Sequence, residues 1–98
     1  MEITISQPAL KWFEEEMELK QGDSIRFFVR YGGHAHIHTG FSLGVGKEAP
    51  FEPAASLEKN HYLFYVEEKD MWFFKDHNLQ VKYSRKAGEI EFEFPPRS

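Results

Sequence analysis

Hydrophobic and polar positions alternate along much of this chain, which predicts a domain built mainly from β-strands. Between Ile25 and Tyr31 every second residue is apolar, and Arg26 and Arg30 stand among the positions between them. Residues 41–45 repeat the alternation with apolar residues at each odd position. Because alternate side chains of a strand point to opposite faces, the pattern predicts two half-buried strands.

A different period marks the beginning of the chain. After a short predicted strand at 3–5, Ser6 is a suitable N-cap, and Leu10, Phe13 and Met17 recur at helical spacing before Gly22. This predicts one amphipathic helix that packs its apolar side against the strands.

The middle of the chain predicts a loop, a buried strand and a short turn. Residues 47–57 contain two prolines and several small residues, which is typical of a loop. The continuous apolar run at 61–66 predicts a central strand that is buried on both faces. Asp70 is interpreted as the cap of a single helical turn that ends at Phe74. Of the three consecutive aromatic residues at 72–74, we expect two to close the core and one to be exposed.

The last third of the chain predicts a β-hairpin. Residues 79–83 alternate, residues 90–94 alternate, and a turn containing Gly88 separates them. Lys82 is expected to pair with glutamates of the opposite strand. The predicted fold is therefore a mostly-β α+β domain, in which an N-terminal helix packs on a small twisted mixed β-sheet or sandwich. Residues 1–98 are expected to form a single domain.

Composition excludes several classes of function. The chain has 12 Lys and Arg against 16 Asp and Glu, a formal charge of -4, so it offers no basic field for nucleic acid or an anionic membrane. It contains no long apolar segment and no signal-peptide pattern at its start, which predicts a cytoplasmic protein that does not span a membrane. It contains no cysteine, so it supplies no thiolate as nucleophile or ligand.

The segment Tyr-Gly-Gly-His-Ala-His-Ile-His-Thr-Gly at 31–40 carries the candidate chemistry. His34, His36 and His38 are the candidate ligands of a first-row transition metal, which neutral imidazole suits. The competing interpretation is a polar loop and strand face without a bound ion. His61 and His77 lie elsewhere in the sequence and are interpreted as strand-start and turn-end residues with local hydrogen bonds.

The position of these histidines depends on how the two strands pair. A tight turn at 32–33 would place all three on the apolar face, where uncompensated burial is costly. A longer loop over 32–36 would pair Tyr31 with Ile37 and keep the odd apolar residues together. We expect this longer loop, with His34 near its exposed tip and His38 on the polar face beside Arg30.

The ordered series of motifs resembles a known family. It runs from Val29-Arg30-Tyr31-Gly32-Gly33-His34 through Gly40-Phe41, Tyr65-Val66-Glu67-Glu68 and Leu79-Gln80-Val81-Lys82-Tyr83 to Phe92-Glu93-Phe94-Pro95-Pro96. This series is similar to the HesB-like family, the A-type iron-sulfur carriers, over nearly the whole chain. The resemblance implies that the segment at 32–40 and the chain end form the family's ligand site, and it allows a homodimer.

The chain departs from this family at the ligands. His34 occupies the place of a ligand cysteine, and the chain ends at Arg97-Ser98 where the family continues into a Cys-x-Cys tail. Known clusters with histidine ligands still take thiolates at their remaining sites, so an iron-sulfur cluster is not expected.

The sequence therefore predicts a non-enzymatic, cysteine-less relative of the carriers that acts as an accessory or binding module for an unidentified protein partner. No arrangement of serine, histidine and carboxylate predicts catalysis, and no resident cofactor is indicated. The alternative is a metal-ion binding protein or metal chaperone that uses the loop containing His34, His36 and His38. In this hypothesis His34 and His36 bind the ion together with His38 or with a carboxylate such as Glu93 from the final strand. A third class is a structural interaction protein that contacts its partner through the aromatic turn at 71–74.

Overall fold

The computed structural model describes residues 1–35 and 37–97. Its elements, in chain order, are β1 (Ile3–Ile5), α1 (Gln7–Glu16), β2 (Ser24–Ala35), β3 (His38–Lys47), β4 (Pro53–Lys59), β5 (Tyr62–Glu67), a 3₁₀ helix (Glu68–Phe74), β6 (Leu79–Ser84) and β7 (Glu89–Glu93). The predicted mostly-β α+β fold is confirmed.

The helix α1 forms where the spacing predicts it. The Ser6 hydroxyl accepts a hydrogen bond from the Ala9 amide at 3.3 Å, which satisfies one of the free N–H groups of the first turn. Ala9, Leu10 and Phe13 form the buried face. At the other end the Met17 amide donates to the Phe13 carbonyl at 3.0 Å.

Two sheets, each with parallel and antiparallel neighbours, make up the rest of the fold. One has the order β1-β6-β7 and the other β3-β2-β5-β4. In the first sheet β1 and β6 are parallel, and in the second β2 and β5 are parallel. Consequently β3, β4, β1 and β7 are the edge strands.

Aromatic rings join the helix to both sheets. The Phe13 ring of α1 lies 5.3 Å from Phe64 of β5 and 6.1 Å from Phe27 of β2. Phe27 also meets Phe92 of β7 edge-on at 6.0 Å, so the two sheets share one core. Burying a phenylalanine of this kind contributes on the order of 2–3 kcal/mol.

The predicted central strand and final hairpin are both confirmed. Strand β5 lies between β2 and β4, and Phe64 and Tyr65 are fully buried although they point to opposite faces. In the β6–β7 hairpin, Lys82 Nζ lies 3.1 Å from Glu93 Oε1, an exposed pair of modest value.

Two local predictions were wrong. The predicted loop at 47–57 is shorter, because β4 begins at Pro53 and pairs with β5, a position that proline tolerates at the start of an edge strand. Asp70 does not cap the 3₁₀ helix. It lies inside that helix and is buried, because its carboxylate turns towards Arg26 of β2.

Neither helix in residues 1–35 and 37–97 has the length and apolar character that a membrane crossing requires.

Candidate functional site

A glycine-rich irregularity shapes the outer end of the β2–β3 hairpin. Tyr31 pairs with Phe41, but the next pair is His34 with Thr39, so the register shifts at Gly32 and Gly33. Their φ angles are +93° and +73°, which side chains with a Cβ rarely adopt. Such a bulge redirects the strand, and it determines where the histidines beyond it point.

The expected pairing of the hairpin was therefore wrong. Tyr31 lies opposite Phe41 rather than Ile37, and the paired strands continue to Ala35 and His38. The two glycines form a bulge within the paired strands, so residues 32–35 remain part of β2 instead of forming a loop.

His34 is exposed and borders a cavity near the end of the chain. The cavity has a volume of about 330 Å³ and is lined by His34, Ala35, Ser42, Leu43, Phe92 and Phe94. The hairpin β2–β3 supplies four of these residues, and the C-terminal segment supplies Phe92 and Phe94. The structure thus brings His34 and the chain end to one place, where the resemblance implied a ligand site.

His38 occupies a different environment from the one predicted. Its ring stacks on Phe73 at 5.3 Å and meets Trp72 and Phe41 edge-on at 5.4 and 5.8 Å. The expectation that it lies on the polar face beside Arg30 was wrong, because the strand changes direction at the bulge. Its Nε2 is buried and has no hydrogen-bond partner within the part of the chain that the structure describes.

The proposed histidine ligands are consequently not gathered into one described site. His34 pairs with Thr39 and is exposed, whereas His38 pairs with Ala35 and packs among aromatic rings. His36 lies outside the described residues. Among residues 1–35 and 37–97, no group of three or more histidine, aspartate and glutamate side chains is placed to hold a metal ion.

The remaining histidines have local roles. His61 is exposed, with φ of +67°, just before β5 begins. His77 Nδ1 lies 3.1 Å from the Phe74 carbonyl at the end of the 3₁₀ helix. Glu93, the suggested carboxylate donor, forms the ion pair with Lys82.

A partly exposed group of aromatic side chains lies at the same end of the hairpin. It consists of Tyr31, His38, Phe41 and Trp72, and we call it the aromatic surface. Phe41 lies 5.4 Å from both Tyr31 and Trp72 by ring centroids. Tyr31 is 89% exposed and Trp72 is 51% exposed, whereas Phe73 is fully buried beneath them. The prediction that one of the residues 72–74 is exposed is confirmed, and that residue is Trp72.

Sequence reasoning missed the buried ionic groups. Arg26 donates to Asp70 Oδ2 at 3.0 Å and to Glu48 at 3.3 Å. Burial lowers the pKa of Arg26, but the hydrogen bonds to Asp70 and Glu48 outweigh it and raise that pKa. The sequence indicates only that Arg26 lies on the polar face of a strand, and this pattern does not identify its partner.

A second buried carboxylate has a structural role. Both oxygens of Glu67 accept hydrogen bonds from the amides of Phe51 and Glu52, at 3.0 to 3.3 Å. The carboxylate thus holds the loop before β4 against the end of β5. Bonds to a charged acceptor are stronger than neutral ones, so this anchor fixes the loop.

Comparisons with known proteins identify the family of this chain. The sequence model of the family described as iron-sulphur cluster biosynthesis matches residues 1–97. The chain is 48% identical over 94 residues to a pyruvate dehydrogenase inhibitor of Bacillus subtilis (strain 168), covering 96% of this chain and 99% of the relative. It is also 40% identical to an uncharacterized protein of Staphylococcus saprophyticus, over 94% of this chain and 97% of that one. A Staphylococcus aureus (strain USA300) protein, also uncharacterized, is 32% identical over 94% of this chain and 97% of its own length.

The family match extends over the helix, both sheets and the glycine bulge, and the series of motifs that predicted it lies along the same elements. This chain belongs to the iron-sulphur cluster biosynthesis family, and it is a member without cysteine.

Proposed function

We propose that this protein is a non-enzymatic accessory protein that acts by binding a protein partner rather than by carrying a cluster. The partner class that we propose is the pyruvate dehydrogenase complex, on which the protein acts as an inhibitor. The observation that carries the proposal is the 48% identity to the Bacillus subtilis pyruvate dehydrogenase inhibitor, which extends over 99% of that relative.

The chemistry of the ligand position supports a role without a cluster. The exposed His34 stands at the cavity beside the chain end, and the whole sequence contains no cysteine. Iron-sulfur clusters are held by thiolates, with imidazole replacing only some of them. The scaffold is therefore retained while the donors needed for cluster transfer are absent.

The aromatic surface supports protein binding. When a partner covers them, tryptophan and tyrosine side chains bury a large area at a low cost in conformational entropy, and they are enriched in protein interfaces. Trp72 is fixed from below by the buried Phe73, with a ring separation of 6.1 Å. A partner would therefore meet a surface that is largely pre-formed, which favours affinity.

The buried charged groups are bound to other parts of the protein, which agrees with a role without catalysis. Arg26 and Asp70 are committed to each other, and the Glu67 carboxylate is committed to backbone amides. A catalytic acid or base must instead reach a substrate in an accessible site. In this arrangement the buried ionisable groups stabilise the fold.

The test is a steady-state assay of the pyruvate dehydrogenase complex from the organism that encodes this chain. The purified metal-free protein should lower NADH production in a saturable manner. Trp72→Ala should weaken the apparent affinity at least about tenfold, because truncating an interfacial tryptophan commonly costs about 2 kcal/mol. Phe51→Ala is the matched control, because Phe51 is an aromatic residue with 85% exposure that belongs to the loop before β4 and not to the aromatic surface.

The results of this assay distinguish the inhibitory function from its assignment to the aromatic surface. An unchanged rate at a large excess of the wild-type protein would contradict the inhibitory function. Inhibition that Trp72→Ala leaves intact would retain the function and contradict its assignment to the aromatic surface. Equal losses with Trp72→Ala and Phe51→Ala would also contradict that assignment.

The second candidate function is metal binding by His34, His36 and His38, and the observation favouring it is the exposed imidazole of His34 at the mouth of the cavity. Neutral imidazole suits zinc, copper, nickel and iron. Calorimetric titration of the untagged, metal-free protein with each ion tests it. Stoichiometric submicromolar binding that is lost in His34→Ala/His36→Ala would support the metal function, and weak binding equal in both proteins would contradict it.

A further inference from the structure

The cavity beside His34 combines polar and apolar walls. Two side chains with polar groups line it, those of His34 and Ser42, and the other lining residues are Ala35, Leu43, Phe92 and Phe94. Its volume of about 330 Å³ lies at the lower end of the range of ligand pockets, roughly 300–1,000 Å³. Such a cavity suits a small molecule with one polar end and a short apolar remainder.

The apolar walls of the cavity are held in place by the core. Phe92 meets Phe27 edge-on at 6.0 Å, and Phe94 lies 5.8 Å from Phe73 by ring centroids. Leu43 is buried. Because packing already fixes these side chains, a ligand does not have to order them on binding, which favours affinity.

Two neighbours fix the position of the Ser42 side chain. Arg30 Nε donates a hydrogen bond to Ser42 Oγ at 3.2 Å. Gly33 lies so close that a Cβ added to it would be 3.1 Å from the same oxygen. A residue with a Cβ at position 33 would crowd the hydroxyl, and the glycine leaves room for it.

The bond from Arg30 determines what the Ser42 hydroxyl offers to a ligand. A guanidinium group is a donor only, so Ser42 Oγ is the acceptor in this bond. The hydroxyl proton is not used in it and can be donated to a ligand in the cavity. The exposed His34 imidazole carries at least one N–H donor in either charge state. Two donors therefore serve the polar end of the cavity.

The charges at the cavity favour an anion. Arg30, which is bonded to Ser42, forms no ion pair with a carboxylate within residues 1–35 and 37–97. None of the lining residues that the structure describes is an aspartate or a glutamate. Hydrogen bonds from such donors to a charged acceptor are stronger than those to a neutral one, so the polar end is complementary to a carboxylate.

We propose that this cavity binds a short-chain monocarboxylate. The carboxylate accepts hydrogen bonds from the Ser42 hydroxyl and the His34 imidazole. The aliphatic chain lies against Leu43, Phe92 and Phe94. A second carboxylate on the chain would be buried among these apolar side chains, which is costly. A phosphate group would bring more charge and more acceptor oxygens than two donors satisfy.

This site is separate from the aromatic surface, because none of the described lining residues belongs to that surface. The binding of the acid therefore does not depend on the inhibition of the pyruvate dehydrogenase complex. It requires no metal ion either, since both donors belong to the chain.

An NMR titration of the isotopically labelled, metal-free protein with butanoate at constant ionic strength tests the proposal. The amide signals of Gly33, His34, Ser42 and Leu43 should shift in a saturable manner. Butanamide has the same chain without the charge and should bind at least about tenfold more weakly. Acetate has two methylenes fewer and should bind about tenfold more weakly, because each buried methylene changes the affinity about fourfold.

A pair of serine variants tests the assignment of the polar end. Ser42→Ala removes the hydroxyl donor and should weaken butanoate binding at least about tenfold. Ser56→Ala is the matched control, because it removes an exposed hydroxyl from the edge strand β4 and should leave the affinity unchanged. The comparison of butanoate, butanamide and acetate on the wild-type protein decides alone if Ser42→Ala does not fold.

Four results would overturn the proposal. The first is a butanoate titration without saturable shifts at the cavity amides. The second is equal binding of butanoate and butanamide, which would show that the cavity does not select an anion. The third is equal binding of butanoate and acetate, which would exclude the apolar walls. The fourth is equal affinity of folded Ser42→Ala and Ser56→Ala, which would remove Ser42 from the site.

Discussion

The Arg26 guanidinium and the Asp70 carboxylate lie 3.0 Å apart from Nη2 to Oδ2, and both side chains are nearly buried. This pair joins β2 to the 3₁₀ helix. The helix carries Phe73, which lies beneath the aromatic surface, and Trp72, which belongs to that surface. The exposed Glu48 is a second and weaker partner of Arg26, at 3.3 Å.

Asp70→Ala should lower the free energy of unfolding by about 2–3 kcal/mol, because it leaves a largely buried arginine with only an exposed partner. Glu48→Ala is the matched control and should cost less than about 1 kcal/mol. Urea denaturation measures both values. Equal effects of the two substitutions would contradict the dominance of the buried pair.

Gly44→Ala should destabilise the protein by about 1–2 kcal/mol, because the added Cβ would meet the Phe28 ring at 2.5 Å and force it to move. The control is Gly46→Ala, where the nearest Phe28 atom lies at 3.7 Å, an ordinary contact. Thermal unfolding of both variants, and of Gly44→Ala combined with Phe28→Ala, measures the effect. Removing the ring should abolish most of the cost, and an undiminished cost would show that the ring is not its cause.

Glu67→Gln should lower the free energy of unfolding by about 1–3 kcal/mol, because one acceptor oxygen becomes an NH₂ donor facing the amides of Phe51 and Glu52. The exposed neighbour Glu68→Gln should change stability by less than about 0.5 kcal/mol. Chemical denaturation gives both values, and limited proteolysis locates the change. A loop at 48–52 that is cut no faster in Glu67→Gln than in the wild type would contradict the anchor.

Tyr65 should make the protein sensitive to alkali. Burial raises the pKa of its phenol from 10.0, and the nearby charges of Glu48 and Glu67 add to the shift. A raised folded-state pKa means that the folded chain holds this proton more tightly, so stability is full below pH 10 and falls as the pH rises above it. Urea midpoints measured across this range should fall less steeply for Tyr65→Phe. Parallel curves for the two proteins would contradict the role of this phenol.

Local patterns were sufficient to predict most elements of the fold. Helical spacing and the Ser6 cap located α1, and the apolar run identified the central strand β5. Period-two alternation located both hairpins. These signals lie within a few neighbouring residues, and the packing of the fold agrees with them.

The register of β2 and β3 could not be read from alternation. Pairing Tyr31 with Ile37 or with Phe41 leaves the odd residues on the same face, because the two registers differ by an even number of positions. The glycines at 32 and 33 decided between them by forming a bulge within the ladder. That bulge also moved His38 from the polar face to the aromatic rings.

Contacts between distant parts of the chain could not be predicted from local sequence patterns either. Arg26 and Asp70 are separated by 44 positions, and the sequence alone suggested a cap for Asp70. The aromatic surface likewise joins Tyr31 and Phe41 to Trp72 of another element. The position of His34 near the chain end came from the family resemblance, since no local period indicates it.

Anaerobic incubation of the metal-free protein with iron and sulfide tests the central claim most directly, which is that this scaffold functions without holding a cluster. Bound iron and sulfide and the visible absorption spectrum are measured after gel filtration, with His34→Ala treated in parallel. The account predicts no stoichiometric cluster and the same spectrum for both proteins. A stoichiometric cluster in the wild type that His34→Ala abolishes would contradict it.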